Sequence, residues 1–196
     1  LKVDLIDKDM FRSAGLFTDH QDMHKGDRGH ILISGGFTGM EGAILLTAKA
    51  LFRTGAGLAT LLTVRESRTV IAGKIPELMT EALPDTGYSD FIKEYLLKRK
   101  FTALVIGPGM GRSESAAAFF TALLDAVPSS GIQKILIDGD GLYHLADYLM
   151  HNKLQAGPQY CITPHFMEAS RISGRDLEEL KYNRLQSAID LAKHSN

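Results

Sequence analysis

Leu104-Val105-Ile106-Gly107-Pro108-Gly109-Met110-Gly111-Arg112 decides how this chain folds. An apolar run stops at three glycines, and a helix-forming segment opens at Ser113. The pattern is strand, bare-backbone loop, helix. Glycine serves where the backbone must come close to something, because a Cβ would be in the way. Loops of this kind sit at the carboxyl ends of strands, where open α/β sheets place their ligands. Two similar junctions flank it in sequence, Ile33-Ser34-Gly35-Gly36 and Ile137-Asp138-Gly139-Asp140-Gly141. The expectation is an α/β sheet whose strand ends converge on one pocket.

Working outward, Ile31-Leu32-Ile33 reads as a short strand of the buried, parallel kind. Residues 43–53 read as a helix apolar nearly all round, which predicts cover on most sides. With the strand Leu58-Ala59-Thr60-Leu61-Leu62-Thr63 this makes strand–helix–strand, the unit of a parallel sheet. Pro76 bars helix just before it, so residues 75–79 are expected to be extended. Further strands are expected at residues 103–106, 135–137 and 160–162, and helices at 4–14, 66–73, 89–99, 113–127, 141–150 and 168–173. Asp4 or Asp7 can cap the first helix. Asp176 and Glu179 form the pattern of a capping box for one last helix reaching about residue 193. The chain stops after that helix, where an alternating pattern calls for another strand, so a fragment of a longer protein is expected.

Bulk numbers narrow the function classes. The 196 residues suffice for one substantial domain, here taken as 1–196. A formal net charge of −1 argues against a nucleic-acid surface and gives no sign of membrane attraction. No apolar run approaches the ~18 residues of a transmembrane helix. The first nine residues are too acidic and broken for a signal peptide. Cys161 has no partner for an internal disulfide, which fits a reducing cytoplasm. Its apolar neighbours predict a small buried hydrophobe. The 19 glycines gather at strand–helix junctions and are not spread as in a flexible linker.

Polar residues at the strand ends carry the candidate chemistry. Asp138 and Asp140, two apart beside glycine, can hold Mg²⁺, accept a proton or a hydroxyl hydrogen bond, or simply cap the following helix. His165, after Thr163-Pro164, is either a ligand contact or a loop histidine bonded to backbone. His24-Lys25-Gly26-Asp27 precedes a strand and belongs to the opposite edge, where a solvated turn is the plain reading. Neither G-x-S-x-G, nor a P-loop, nor zinc spacing of His and Cys occurs. Gly107-Pro108-Gly109-Met110-Gly111 is only a weak dinucleotide fingerprint, since the next strand-end acid, Asp138, comes 27 residues after Gly111.

Six motifs in order give a specific resemblance: His24-Lys25-Gly26-Asp27; Ser34-Gly35-Gly36 with Gly39, Gly42 and Ala43; Arg53 through Leu58; Ile106 through Gly111; Asp138 through Leu142; and Thr163-Pro164-His165 with Glu168. From about residue 20 onward the chain resembles the ADP/ATP-dependent NAD(P)H-hydrate dehydratases of the ribokinase-like superfamily. The resemblance implies a three-layer α/β/α fold with a mostly parallel sheet, lacking its C-terminal part. It implies repair of hydrated NADH or NADPH (NADHX, NADPHX) at the expense of ADP or ATP with Mg²⁺, by phosphate transfer to the hydrate hydroxyl and then elimination. It places Ala43, Gly109 or Gly111, and His165 against the hydrated dinucleotide, with Asp138 and Asp140 lining the same site. It also implies a homo-oligomer, while the cysteine count, charge and apolar runs point to the cytoplasm and to no nucleic-acid or membrane partner. The family's catalytic Asp and phosphate-contacting loop would fall beyond Asn196. Tyr143 stands where the family usually has Asn, and Phe166-Met167 where it has Pro-Gly. Two other readings fit the same pattern: a hydroxymethylpyrimidine or thiazole kinase of ribokinase type, and a non-catalytic nucleotide-binding module.

Overall fold

A computed structural model describes residues 7–14 and 24–194. Among the described residues six strands form one sheet: β1 (His30–Ser34), β2 (Leu58–Thr63), β3 (Met79–Ala82), β4 (Ala103–Ile106), β5 (Lys134–Ile137) and β6 (Gln159–Ile162). All pair in parallel, in the order β3-β2-β1-β4-β5-β6. Strand order reverses between β1 and β4, and at such a switch point a crevice opens beyond the carboxyl ends.

Alternation along the strands splits the core in two. Leu32, Leu62, Leu104, Ile106, Ile135 and Ile137 face one cluster. There they meet α4 (Tyr88–Leu97), α5 (Glu114–Ala126) and α6 (Asp140–Leu149), through side chains such as Ile92, Phe119, Phe120, Leu123, Leu142 and Leu145. Ile33, Ala59, Leu61 and Val105 face the second cluster, with Ile44 and Ala48 of α2 (Glu41–Arg53) and Ile71 of α3 (Arg65–Ile71). This is the expected three-layer α/β/α arrangement. Each fully buried aliphatic side chain contributes on the order of 1.5–3 kcal/mol, which is why such short apolar strands suffice to fix the order.

The second face loses its cover toward β6. Ile33, Val105, Leu136 and Cys161 lie in one register row. Ile33 and Val105 are buried, Leu136 is half-buried and Cys161 is exposed. The expectation of a buried cysteine fails because α2 and α3 pack over β1, β2 and β3 and leave this face of β6 uncovered among the described residues. The same one-sidedness corrects α2: Ile44 and Ala48 are buried, whereas Leu46 is 70% exposed. An apolar helix here is covered on one stripe.

Other boundaries shift for local reasons. Residues 75–78 form a turn closed by the Leu78 amide on the Ile75 carbonyl, and β3 begins only at Met79. Pro76 thus starts a turn rather than a strand. The expected single last helix is two, α8 (Leu177–Tyr182) and α9 (Arg184–His194), broken at Asn183 with φ −124° and ψ 56°. Asp176 caps α8, accepting from the amides of Glu178 and Glu179. The helix expected at 4–14 is α1 (Lys8–Ser13), capped by Asp7. Asp4 lies outside the described residues. Between α6 and α8 stands α7 (Phe166–Ser173). Among the described residues no helix is long and apolar enough to cross a membrane.

At the amino end of β1, His30 packs against Phe101 (ring centroids 4.5 Å) and shares a 2.8 Å hydrogen bond with Thr60 Oγ1. Burial, and then the Arg99 charge, lower its pKa below the ordinary value. A lowered histidine pKa favours the neutral form in the folded state, so the contribution is complete above about pH 6.5 and is lost as pH falls through the folded value. Urea unfolding between pH 7.5 and 5 is expected to show a steeper acid-side loss for the parent chain than for His30→Asn. Parallel pH profiles would contradict this assignment.

Candidate functional site at the carboxyl edge

The loops after β1 and β4 are joined by main chain. The Gly36 amide donates to the Pro108 carbonyl (2.8 Å), and the Phe37 amide to the Gly109 carbonyl (2.7 Å). The Gly107 amide donates to the Ser34 carbonyl (2.9 Å). The glycines answer to this stitching. A Cβ on Gly107 would stand 2.1 Å from the Asp138 carbonyl oxygen, at φ +117°. One on Gly109 would stand 2.6 Å from the Met40 carbonyl oxygen and 3.1 Å from the Ala43 Cβ. The sequence suggested that backbone is bare here to approach a ligand; the structure adds that it must be bare for chain to pass chain. Ala43, in the first turn of α2, is thereby held beside Gly109.

Asp140 extends this cluster. Its Oδ2 accepts the Gly111 amide (2.9 Å) and its Oδ1 accepts Arg112 Nε (3.0 Å). The capping reading is overturned for both aspartates: the N-cap of α6 is Gly139, with no side-chain cap. Asp140 is the first helical residue and reaches back to the loop. Asp138 instead accepts from Thr163 Oγ1 (2.8 Å) beyond β6, and stays half-buried. The two carboxylates therefore serve different partners, and Asp140 has both oxygens engaged. They do not fit a metal pair, and among the described residues no group of three His, Cys, Asp or Glu is placed to hold a metal ion.

His165 is the N-cap of α7. Its Nδ1 accepts from the amides of Met167 (3.1 Å) and Glu168 (3.3 Å), while Glu168 Oε2 accepts the His165 amide (2.8 Å). With Nδ1 accepting, the neutral ring carries its proton on Nε2. Nε2 lies 3.2 Å from Glu168 Oε1, and the side chain is 65% exposed. The backbone-bonded reading of this histidine holds, and the ring edge remains open at the rim. His165 also borders a cavity of about 810 Å³ between β6 and α9, lined among others by Tyr160, Ile162, Leu180 and Leu191.

Ala43 thus lies beside Gly109 and Asp140 binds Gly111, while Asp138 and His165 continue the same edge along β5 and β6. Such an edge offers backbone and a methyl wall on one side, carboxylate acceptors in the middle, and an imidazole N–H at the far end. It can embrace a polar ring bearing hydroxyl groups. The His24–Asp27 segment is an exposed turn closed by the Asp27 amide on the His24 carbonyl (2.9 Å), at the opposite edge as expected.

Sequence reasoning missed one residue of this cluster. His144, in α6, is 3% exposed, with Nε2 2.8 Å from the Gly111 carbonyl oxygen. Only its position four after Asp140 could have suggested that both reach one loop.

A sequence model of the NAD(P)H-hydrate dehydratase family matches residues 31–196. The bifunctional NAD(P)H-hydrate repair enzyme of Coxiella burnetii is 37% identical over 171 residues, covering 87% of this chain and 32% of that protein. The ADP-dependent (S)-NAD(P)H-hydrate dehydratase of Staphylococcus aureus is 32% identical over 173 residues, covering 87% and 58%. The chain therefore spans about a third of the first relative and somewhat over half of the second. A Bacillus subtilis ADP/ATP-dependent NAD(P)H-hydrate dehydratase, co-crystallised with ATP and Mg²⁺, shares the fold with a TM-score of 0.73 at 23% identity, covering 91% of this chain and 59% of that one.

Gly107→Ala adds a buried clash to backbone strain, so a loss of at least about 3 kcal/mol is expected. Gly39→Ala, at φ +85° with nothing within 4 Å of the new Cβ, is expected to lose only about 1–2 kcal/mol. Urea midpoints of the two variants decide this; equal losses would remove the chain-on-chain reason for Gly107.

Proposed function

The chain belongs to the NAD(P)H-hydrate dehydratase family, and we propose that it carries the dinucleotide-hydrate half of an ADP- or ATP-dependent dehydratase site. The substrate is NADHX or NADPHX. The terminal phosphoryl group of the nucleotide passes to the hydroxyl oxygen of the hydrated ring, whose proton leaves to a base. The C–O bond then breaks, inorganic phosphate departs, a ring proton is lost and the dihydronicotinamide double bond returns. Such a transfer depends on positioning and on neutralising phosphate charge. Mg²⁺ accompanies the nucleotide phosphates, and no described residue is assigned to it or to the base.

The observation that carries this reading is that Ala43, Gly109 and Gly111 lie at the switch point while Asp138 and His165 stand further along the same carboxyl edge, within a family-matched segment. Ala43 and the Gly109–Gly111 backbone form the close wall against the dinucleotide. Asp138 accepts a hydrogen bond from a substrate hydroxyl. His165 donates from Nε2. Asp140, with both oxygens occupied, supports the wall from behind. The described segment acts as part of one ribokinase-like domain, in a cytoplasmic homo-oligomer.

In the full-length protein, NADHX plus ADP or ATP is expected to restore absorbance at the NADH band, with none restored when nucleotide is omitted. Phosphorylation of a pyrimidine alcohol with no action on NADHX would favour the kinase reading instead. His165→Asn keeps an N-cap acceptor and removes the Nε2 donor, whereas His165→Ala also loses the cap, about 1 kcal/mol of stability. Both variants are expected to raise KM for NADHX roughly tenfold, the loss of about one hydrogen bond, with KM for ATP unchanged. Equal rises in both KM values would withdraw His165 from the dinucleotide side.

A further inference from the structure

Gly107 and Gly109 are fixed by packing, but Gly111 is not. A Cβ there would meet only the flexible end of Met40, at 3.1 Å from Cε. Its φ is nonetheless +74°, so something else holds this outermost part of the wall. Two side chains of α6 do so, four residues apart and hence on one helix face. Asp140 Oδ2 takes the Gly111 amide and His144 Nε2 meets the Gly111 carbonyl, so both backbone polar groups of one residue are gripped. The imidazole is itself immobilised against Phe120 (ring centroids 5.7 Å) and the Tyr143 edge (5.6 Å, 90°). An aliphatic residue would fill the same buried place between Leu142 and Leu145 without polar desolvation. The position holds a donor, aimed at the loop.

We propose that His144 is a positioning residue for the dinucleotide-hydrate site: with Asp140 it clamps Gly111 and so sets the wall that faces Met40 and Ala43. This rests on the function proposed above. The role makes His144 specific to one substrate, since the clamp acts on the Gly109–Gly111 wall.

The test compares His144→Leu, which removes the donor, with His144→Gln, which offers an amide at similar reach, in the full-length protein. His144→Leu is expected to raise KM for NADHX at least about tenfold, because a small misplacement of a positioning element is amplified at the reacting geometry. KM for ATP is expected to stay within about twofold and His144→Gln to recover most of the loss. Amide exchange at Gly111 should quicken in His144→Leu and return toward parent values in His144→Gln. If His144→Leu does not fold, His144→Asn, whose amide is too short to reach Gly111, takes its place with the same expectations. An unchanged KM for NADHX, or equal changes in both KM values and no rescue by Gln, would overturn the positioning role. A parent protein that never converts NADHX would instead sink the proposed function.

Discussion

Two main-chain hydrogen bonds hold this structure at its critical point: Gly36 to Pro108 and Phe37 to Gly109. At a switch point the helices that follow the two central strands leave on opposite faces, and the loops would drift apart. Here α2 departs to one face and α5 to the other, yet the loops stay joined by peptide groups. Glycine at the crossing points allows that approach, since a Cβ on Gly35 would stand 2.2 Å from the Pro108 carbonyl oxygen. The floor of the crevice is therefore backbone, and its shape is set by bond geometry rather than by side-chain rotamers.

Everything else on the carboxyl edge leans on this floor. Asp140 and His144 reach it from α6, Ala43 abuts it from α2, and Gly107 fits against the start of α6. Asp138 and His165 stand one and two strands further on, linked to each other through Thr163 and Pro164. The edge thus has a half built of interlocked backbone and a half built of side chains. The backbone half provides a wall, and the other half offers polar groups, of which His165 is exposed and borders the cavity.

The strands were legible because a buried parallel strand leaves a short apolar run, which in β1, β4 and β5 runs into glycine and in β2 stands without one. β3 was misplaced because Met79-Thr-Glu-Ala carries no such run; its position follows from pairing with β2. The break at Asn183 was hidden for a similar reason, since the flanking residues keep a helical pattern. Among site residues, placement on the edge was readable and partnership was not. Asp140 looked like a cap because acids beside helix starts usually are. His144 was missed because a lone histidine within a helix says nothing about the loop above it, and its spacing of four from Asp140 was the single hint. Cys161 was misjudged because an apolar run shows that a strand has a core side but not how far the helices on each face extend.

The reversal of strand order also has a consequence in time. β1 and β2 come together over a separation of 28 residues, as in the Ser34–Leu62 contact, but β1 meets the start of β4 over 72, as in the His30–Thr102 contact. Loop closure must be met before such distant pairings return any stability, so they form late. The crevice lies on that distant pairing. The chain can have much of its local structure, including the β1–α2–β2 unit, while the wall of the crevice does not yet exist. Whatever binds there meets a surface that appears only once the most widely separated parts of the sheet have found each other.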